Sequence, residues 1–232
     1  MRLYDCESDA KRAFEVVAGG GVAVIPMHVG YAIVGATREA VRRIFKAKQR
    51  APSKLNAITG SPELHRSLHV LDDRARAVVD AITNQYDLPL GTVAPARLDH
   101  PMLRKLDPEI LAQSTLDGTI AMLLGGGPFL DALGRLSHEN NLAILGSSAN
   151  VSLHGTKFRA ADIEPAIIAA ADAVFDYGLM RWAAYGQSST MLDLRDYSVV
   201  RRGACFDLIS DLVQRHFGIS LREPPAQSAR MP

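Results

Sequence analysis

Short apolar runs alternate with longer segments of helical spacing along this sequence, and this alternation limits the folds that the chain can adopt. The run VAVIP at residues 22–26 is β-branched, apolar and too short for a helix, which is typical of a buried strand. Residues 37–48 instead place Val41 and Ile44 at helical spacing behind Thr37, a predicted N-cap. Such alternation predicts an α/β fold in which helices cover a sheet.

The same alternation continues along the rest of the chain. The predicted strands are residues 22–26, 53–59, 119–124, 142–145, 173–176, 191–194 and 198–201. The predicted helices are residues 8–18 with Ser8 as N-cap, 37–48, one or two over 62–83, 129–136, 162–171 and 206–217. Because no internal repeat or linker interrupts them, we expect one domain over residues 1–220. The remaining residues, 221–232, are polar and proline-rich, so we expect a disordered tail.

Composition places the chain among ordinary globular proteins. With 232 residues, 47% of them apolar and 22% charged, it is long enough to bury a core without metals or disulfides. The formal net charge of +1 gives no global field that points to a nucleic-acid partner, so an electrostatic site must come from local clusters. Cys6 and Cys205 are the only cysteines, and the first residues contain no apolar signal segment. Since no apolar run approaches the roughly 20 residues that span a membrane, we expect a cytoplasmic protein without membrane association.

A basic cluster occupies residues 38–54, where seven basic residues stand against a single acid, Glu39. A solvated helix face would explain such a run, and Lys48 and Arg50 near the helix C-terminus would also stabilise the helix dipole. The same two residues lead towards the next predicted strand, from which side chains can reach a cleft at the sheet edge. Because arginine offers a bidentate fork and lysine a mobile point charge, Lys48 and Arg50 are candidate phosphate ligands.

Three further segments carry groups that suit an anion or a ribose. GSSAN at 146–150 follows an apolar run, and ligands of open α/β sheets bind at the carboxyl ends of strands. QSSTMLDL at 187–194 brings hydroxyls into a predicted strand. The glycines Gly125, Gly126 and Gly127 precede a proline at a predicted helix start, where successive N–H groups can form a nest for an anion. An ordinary turn is the alternative for residues 146–150 and for the glycines, and the hydroxyls at 187–194 alone say little.

Two histidines, His65 and His69, lie four residues apart on a predicted helix, a spacing that can place both on one metal ion. The residues between them, 66–68, are Arg-Ser-Leu and supply none of the acids of an HExxH pattern. We therefore expect ordinary surface or boundary histidines, and no metal site.

Individually these clusters are weak signals, but their order along the chain is specific. The ordered motifs are IPMHVGYAIVG (25–35), KAKQRAPSK (46–54), GSSANVS (146–152), ADAVFD (171–176), SSTMLDL (188–194) and VVRRGA (199–204). This series resembles the YrdC/YciO family, which includes the threonylcarbamoyl-AMP synthases, over about residues 8–218. The resemblance implies a twisted mixed β-sheet flanked by helices, with a large concave basic cleft.

The resemblance also implies roles for the matching residues. Lys48 and Arg50 match a Lys-x-Arg pair that handles phosphate and carboxylate or carbonate, so we expect them to be the catalytic residues. The residues implied to bind nucleotide or substrate are Pro26, Tyr31, Ser148, Asn150, Ser189, Thr190 and Arg201. The family's cleft-facing arginine aligns roughly with Leu123, so we expect the amides of residues 125–127 to take over its contact with the nucleotide.

The chain departs from the family pattern at the end of the first strand. Where the family usually has Thr-Asp-Thr, Met27, His28 and Val29 stand here. Those hydroxyls help to bind the amino acid, so the nucleotide half of the site is kept better than the amino-acid half. In the family, ATP, bicarbonate and L-threonine give threonylcarbamoyl-AMP and pyrophosphate for tRNA modification. The implied partners are therefore ATP with Mg²⁺ held mainly by its phosphates, bicarbonate and a small amino acid.

Three functions remain open on this sequence. One is a nucleotidyltransferase of this synthase type, acting on threonine or another small amino acid. Another is a related carbamoyl-adenylate enzyme with a different acceptor. The third is a non-catalytic paralogue that binds nucleotide, tRNA or double-stranded RNA, since A-form RNA is recognised through its shape and backbone.

Overall fold

A computed structural model describes residues 4–51 and 54–222. Its strands are β1 (Val22–Met27), β2 (Gly30–Gly35), β3 (Ala57–Thr59), β4 (Leu90–Pro95), β5 (Thr115–Leu116), β6 (Thr119–Leu124), β7 (Leu145–Ser148), β8 (Ala173–Val174), β9 (Thr190–Asp193) and β10 (Ser198–Arg201). Its α-helices are α1 (Cys6–Ala18), α2 (Arg38–Lys48), α3 (Pro62–Leu68), α4 (Asp73–Asp80), α5 (Pro101–Arg104), α6 (Pro108–Ala112), α7 (Pro128–Glu139), α8 (Pro165–Ala169) and α9 (Phe206–Phe217). None of the helices within these residues is long and apolar enough to cross a membrane.

The strands form one mixed sheet in the order β10-β9-β4-β6-β3-β7-β2-β1-β8, with β5 beside β6. Hairpins join β1 to β2 and β9 to β10, whereas β3 runs parallel to β6, β4 to β9 and β1 to β8. The predicted α/β fold with a mixed sheet is therefore confirmed. This strand order brings residues from the beginning, middle and end of the chain to one surface.

Most predicted helices are found, and their caps explain where two of them begin. Thr37 caps α2, because its Oγ1 accepts a hydrogen bond from the backbone N–H of Ala40 at 3.2 Å. The last predicted helix coincides with α9. At α1 the predicted cap was wrong, because the helix begins before Ser8. Asp5 is the cap there, and its Oδ1 accepts the N–H of Ser8 at 3.0 Å.

Two central strands, β2 and β4, were missing from the sequence prediction. In β2 only four apolar residues, 31–34, stand between two glycines, and in β4 the apolar residues are interrupted by Gly91 and Thr92 and end at Pro95. Both lie inside the sheet, β2 between β7 and β1 and β4 between β9 and β6. The strand predicted at 142–145 begins only at its last residue, as β7, and the helix predicted at 162–171 is the shorter α8.

Arg222, the second residue of the predicted tail, is paired with the sheet. The N–H of Arg222 donates to the carbonyl of Tyr197 at 3.2 Å, and the carbonyl of Arg222 accepts the N–H of Val199 at 2.8 Å. This pairing extends the sheet alongside β10. The rest of the predicted tail, residues 223–232, lies outside the described residues.

Helices pack on both faces of β1. On one face Ala23 and Ile25 are fully buried in the cluster that α1 and α7 complete. On the other face Val22 and Val24 pack in a second cluster with Ile44 of α2. Because successive strand residues point to opposite faces, this arrangement explains why the run at 22–26 is apolar throughout.

Candidate functional site

A cleft of about 470 Å³ runs across one face of the sheet. Residues that pair across neighbouring strands share a face, and such pairs form its floor. They are Ala32 and Val34 on β2, Gly146 and Ser148 on β7, Ala57 and Thr59 on β3, Ala121 and Leu123 on β6, Gly91 and Val93 on β4, and Met191 and Asp193 on β9. The floor therefore crosses six strands, and their five spacings amount to about 24 Å.

Small residues at the centre of the floor leave this space open. Ala57 pairs with Gly146 on one side and Ala121 on the other, so three neighbouring strands present nothing larger than a methyl group there. Gly146 has no room for a side chain, because a Cβ would lie 2.7 Å from Cγ1 of Val34. The cleft is thus a consequence of the small residues in these strands.

The charged residues that line the cleft, within the described part of the chain, are Arg50, Arg195, Arg201 and Asp193. Asp193 is 7% exposed and binds Arg195 in a fork, with Nε 3.0 Å from Oδ1 and Nη2 2.6 Å from Oδ2. Arg50 and Arg201 have no carboxylate partner among the described residues. Their uncompensated positive charge favours an anionic ligand.

Five of the predicted site residues line the cleft: Tyr31, Arg50, Ser148, Ser189 and Arg201. Arg201 is oriented by Ser189, whose carbonyl oxygen accepts from Nε at 3.1 Å and from Nη2 at 3.0 Å. Nη2 also donates to Oγ of Ser189 at 3.2 Å. Ser189 and Arg201 therefore form one unit beside β9, whereas Ser148 lies on β7 next to β2.

Lys48 is placed differently from the prediction, which put it against the ligand. It is 1% exposed and does not belong to the residues that line the cleft. Its ammonium group donates to the carbonyl oxygens of Ser148 and Asn150, the latter at 2.6 Å. Burial, assisted by the nearby charge of Arg50, lowers the pKa of Lys48 to about 7. Lys48 therefore ties the end of α2 to the turn at 148–150.

Asn150 and Thr190 are also buried away from the cleft lining, in contrast to their predicted position beside the ligand. Nδ2 of Asn150 donates to the carbonyl of Val151 at 2.6 Å. Oγ1 of Thr190 donates to the carbonyl of Ala204 at 3.0 Å and accepts the N–H of Gly203 at 3.2 Å. The Asn150 bond fixes the backbone of the turn after β7, and the Thr190 bonds hold β9 against residues 203–204.

Tyr31 contributes to the cleft wall with a fully buried side chain. Its hydroxyl lies 3.0 Å from Oδ1 of Asp176 and 3.0 Å from the carbonyl of Gly178, and it accepts the N–H of Tyr177 at 2.9 Å. Burial raises the pKa of Tyr31 well above its ordinary value. Tyr31 therefore holds the loop after β8 in place. Because its hydroxyl already has these partners, the rest of the residue forms its part of the cleft wall.

The turn between β1 and β2 makes one end of the cleft apolar. Met27 and Val29 line the cleft there and are 8% and 2% exposed. His28 lies between them and lines a second cavity of about 310 Å³ together with Pro26. The predicted contact of Pro26 with the nucleotide cleft is therefore not found.

The three glycines lie at this second cavity or beside it, and none of them lines the cleft. Gly125 and Gly127 have positive φ angles of 60° and 97°, whereas Gly126 accepts the N–H of His28 through its carbonyl at 2.7 Å. A Cβ on Gly125 would collide with the carbonyl of Leu88. These glycines form the tight turn into α7. Because they lie outside the cleft, their amides are not placed where the prediction needs them, in contact with a nucleotide in the cleft.

The basic cluster on α2 is mostly paired on the surface. Arg38 and Arg42 both contact Glu109, and Arg43 contacts Asp172. Such exposed pairs contribute little stability, but they remove much of the net positive charge from this helix. The solvated helix face therefore accounts for these three arginines.

His65 and His69 are buried, so the prediction of surface or boundary histidines was wrong. They are 3% and 1% exposed, and their rings meet edge to face with centroids 4.8 Å apart. Burial lowers the pKa of His65 to about 4 and that of His69 to about 3. Within residues 4–51 and 54–222, no group of three or more His, Cys, Asp or Glu residues could hold a metal ion.

Arg195 and Asp193 are cleft residues that sequence reasoning missed. The signal was present, because Ser189, Met191 and Asp193 recur with period two and all line the cleft. Thr190 and Leu192 alternate with them and are buried on the other side. The same alternation predicts that Ser189 faces the cleft and that Thr190 points to the opposite side of the sheet.

A protein-family profile matches most of this sequence. Residues 15–203 match the profile of the Sua5/YciO/YrdC family, which is described as telomere recombination. A search of curated proteins finds no match to the sequence.

Similar solved structures share the fold. Sua5 from P. abyssi in complex with L-threonine is 20% identical with a TM-score of 0.74, and the match covers 100% of this chain but 63% of that one. The hypothetical protein smu.1377c from Streptococcus mutans UA159 is 20% identical with a TM-score of 0.73 over 92% of this chain and 94% of its own. YciO from E. coli is 20% identical with a TM-score of 0.60 over 85% and 90%. This chain therefore spans less than two thirds of Sua5.

Proposed function

The chain belongs to the Sua5/YciO/YrdC family, and on that premise we propose that it is a nucleotidyltransferase of the threonylcarbamoyl-AMP synthase type. It binds ATP in the cleft and joins it to bicarbonate and a small amino acid. The observation that carries this proposal is the presence of Arg50 and Arg201, without carboxylate partners in the described chain, in one cleft with the hydroxyls of Ser148 and Ser189. Guanidinium groups bind phosphate oxygens through two parallel hydrogen bonds, and such charge-assisted bonds are among the stronger polar contacts.

The dimensions of the cleft suit two substrates bound end to end. The floor extends about 24 Å from β2 to β9. Arg201 and Ser189 lie at the β9 end, and Met27 and Val29 lie at the β2 end. We assign the nucleotide to the first end and the amino acid to the second. The two substrates then meet over the small residues at the centre of the floor.

The proposed reaction needs no protein nucleophile. The amino group of the amino acid attacks the carbon of bicarbonate, and loss of water gives a carbamate. An oxygen of the carbamate attacks the α-phosphorus of ATP, and pyrophosphate leaves. Arg50 and Arg201 hold the anions together and stabilise the negative charge that develops on the phosphoryl oxygens.

A magnesium ion that accompanies ATP fits this site only as an ion held by the phosphates. Within the described residues the carboxylate that lines the cleft is Asp193, and Arg195 already binds it. No carboxylate cage for a metal exists in that part of the chain. Mg²⁺ often keeps its water ligands and binds through substrate phosphates, which agrees with this lining.

The amino acid in this proposal is aliphatic. Sua5 from P. abyssi is known in complex with L-threonine, which supports an amino acid as the second substrate. Met27 and Val29 offer no hydrogen bond to a threonine hydroxyl, so alanine or valine suits this end of the cleft better. We further propose that the adenylate product serves tRNA modification, as the family resemblance implies. Because the arginines of α2 are paired with acids, we favour the enzyme over the alternative of a double-stranded-RNA-binding paralogue.

Release of pyrophosphate tests the proposal. The protein is incubated with ATP, Mg²⁺, bicarbonate and each amino acid in turn, and pyrophosphate and the adenylate are measured by mass spectrometry. We expect release that requires both bicarbonate and an amino acid and that is lost in Arg201→Ala. ATP binding without any amino-acid-dependent release would leave a nucleotide-binding protein and would refute the synthase.

A further inference from the structure

The second cavity lies next to the amino-acid end of the cleft, and Met27 separates the two. The cleft has a volume of about 470 Å³ and the second cavity a volume of about 310 Å³, and both are of the size of ligand pockets. Among the residues that the structure describes, Met27 is the one that lines both. The space open to a ligand at this end of the cleft therefore depends on the side chain at position 27.

Small cross-strand neighbours make Met27 the barrier at this point of the sheet. In the β1–β2 hairpin Met27 pairs with Gly30, and Ile25, the preceding residue on the same face, pairs with Ala32. Cross-strand neighbours on one face usually pack against each other. Gly30 has no side chain to do so, and Ala32 has only a methyl group. A shorter side chain at position 27 would therefore open a space that neither Gly30 nor Ala32 can fill.

The lining of the second cavity is mainly apolar and aromatic. The rings of Phe129 and Tyr177 meet there edge to face, with centroids 5.7 Å apart. As far as the structure describes the chain, the charged residue of this lining is Arg181, which is paired with Asp87. The apolar residues of the lining are Pro26, Met27, Pro128, Phe129, Leu179 and Met180. Such a lining suits an apolar or aromatic side chain and offers little to an anion.

We propose that Met27 sets the upper size limit of the amino acid that this protein takes. With methionine in place, the apolar end of the cleft closes behind a side chain of the size of alanine or valine. With a shorter residue at position 27, the cleft continues into the second cavity and holds the side chain of leucine or phenylalanine. This inference rests on the proposed function and makes Met27 the residue that determines substrate size.

Thermal denaturation with separate amino acids tests the size limit without relying on turnover, because a bound ligand raises the melting temperature. The wild type, Met27→Ala and Met27→Val are melted with L-alanine, L-leucine or L-phenylalanine at equal concentration. Met27→Val is the milder change, since a β-branched residue suits a strand. Met180→Ala is the matched control, because Met180 lines the second cavity but not the cleft.

We expect L-alanine to raise the melting temperature of the wild type and of Met180→Ala, and L-phenylalanine to leave both unchanged. L-leucine should raise the melting temperature of both Met27 variants, and L-phenylalanine that of Met27→Ala. The affinity for phenylalanine relative to alanine should rise at least about tenfold in Met27→Ala, because the larger side chain then buries apolar surface in the second cavity. In the turnover assay, kcat/KM for the two amino acids should change in the same direction.

Four results would overturn the size limit. One is a shift of the wild type with phenylalanine as large as that with alanine. Another is the failure of both Met27 variants to respond to the larger amino acids. A third is an equal gain in Met180→Ala and Met27→Ala, which would assign the gain to loosened packing around the second cavity. The fourth is the absence of an amino-acid shift in all four proteins.

The test keeps its meaning if one variant or the synthase reaction fails. If Met27→Ala does not fold, the response of Met27→Val to L-leucine decides between these outcomes. Shifts that depend on the residue at position 27, in a protein that releases no pyrophosphate, would keep the size limit of the amino-acid site and refute the synthase.

Discussion

The side-chain ammonium of Lys48 donates a 2.6 Å hydrogen bond to the backbone carbonyl of Asn150, 102 residues further along the chain. A second bond from the same ammonium reaches the carbonyl of Ser148. These contacts fasten the end of α2 to the turn that follows β7. Arg50, two residues after Lys48, lies instead at the cleft. The two residues of the Lys-x-Arg pair therefore have different positions, with Lys48 buried against the turn at 148–150 and Arg50 in the cleft lining.

Lys48→Met should therefore destabilise the protein. The variant leaves the buried carbonyl of Asn150 without its lysine donor, whereas the carbonyl of Ser148 keeps the N–H of Asn150 at 2.9 Å. An unsatisfied buried acceptor costs about 1–3 kcal/mol, so we expect a loss of roughly 2 kcal/mol in the free energy of unfolding. Urea denaturation measures this loss. Wild-type stability in Lys48→Met would show that the lysine is not a structural tie.

Arg50→Ala is the matched variant, and we expect the opposite pattern. Its free energy of unfolding should change by less than about 1 kcal/mol, because a partly exposed cation without an acid partner contributes little. Its affinity for ATP should fall by about tenfold or more, because a charge-assisted phosphate bond is lost. Calorimetric titration measures the affinity, and an unchanged value would remove Arg50 from the binding site.

The buried histidines predict loss of stability in mild acid. Their pKa values are lowered to about 4 and about 3 in the folded state, against 6.5 for the ordinary side chain. Below pH 6.5 the unfolded chain therefore binds more protons than the folded chain, so stability falls as pH falls. Each histidine contributes at most about 1.4 kcal/mol per pH unit.

Urea denaturation between pH 7 and 5 checks this slope, and His69→Leu should make it shallower. His216→Gln is the control, because His216 is exposed at the end of α9. An equal slope in all three proteins would mean that other groups cause the acid sensitivity.

Gly125→Ala should destabilise the fold and leave ATP binding intact. The φ of Gly125 is 60° and a Cβ would collide with the carbonyl of Leu88, so we expect a loss of about 2 kcal/mol or more. Gly118→Ala is the control. Gly118 also has a positive φ, 72°, but its Cβ position is open, so the difference between the two variants measures the effect of the collision. Weaker ATP binding by folded Gly125→Ala than by Gly118→Ala would indicate that the glycines take part in binding the nucleotide.

The apolar end of the cleft predicts the choice of amino acid. Pyrophosphate release should be faster with valine or alanine than with threonine, and Val29→Thr should shift this preference towards threonine by about tenfold. Val34→Thr is the control, since Val34 lines the cleft further along β2. A wild-type preference for threonine would contradict the assignment of Met27 and Val29 to the amino-acid end.

The regular elements of the fold were predictable from local patterns. The run at 22–26 and the segment behind Thr37 carry their own periodicity and cap, and α9 was predicted to the residue. β4 was not predictable in this way, because Gly91 and Pro95 weaken its strand pattern. The reason for Gly91 lies in another strand, since a Cβ there would lie 3.1 Å from Cε of Met191.

Motif order identified the segments of the site, but it did not give the direction of each side chain. Lys48 and Arg50 are equally basic in sequence, and only the packing of α2 shows that one is buried while the other lines the cleft. The small residues at the centre of the cleft floor, Ala57 and Gly146, meet only through the register of β3 against β7, which local sequence does not specify. Direction and register are properties of the assembled sheet.

The proposed function requires the cleft to hold the phosphates of a nucleotide. Calorimetric titration of the wild type and of Arg201→Ala with ATP and Mg²⁺, at low and at high salt, tests it most directly. We predict binding by the wild type that weakens with salt, and an affinity at least about tenfold lower in Arg201→Ala, because a guanidinium–phosphate contact is charged and partly screened. No heat of binding at millimolar ATP, or equal affinity in both proteins at both salt concentrations, would contradict the claim.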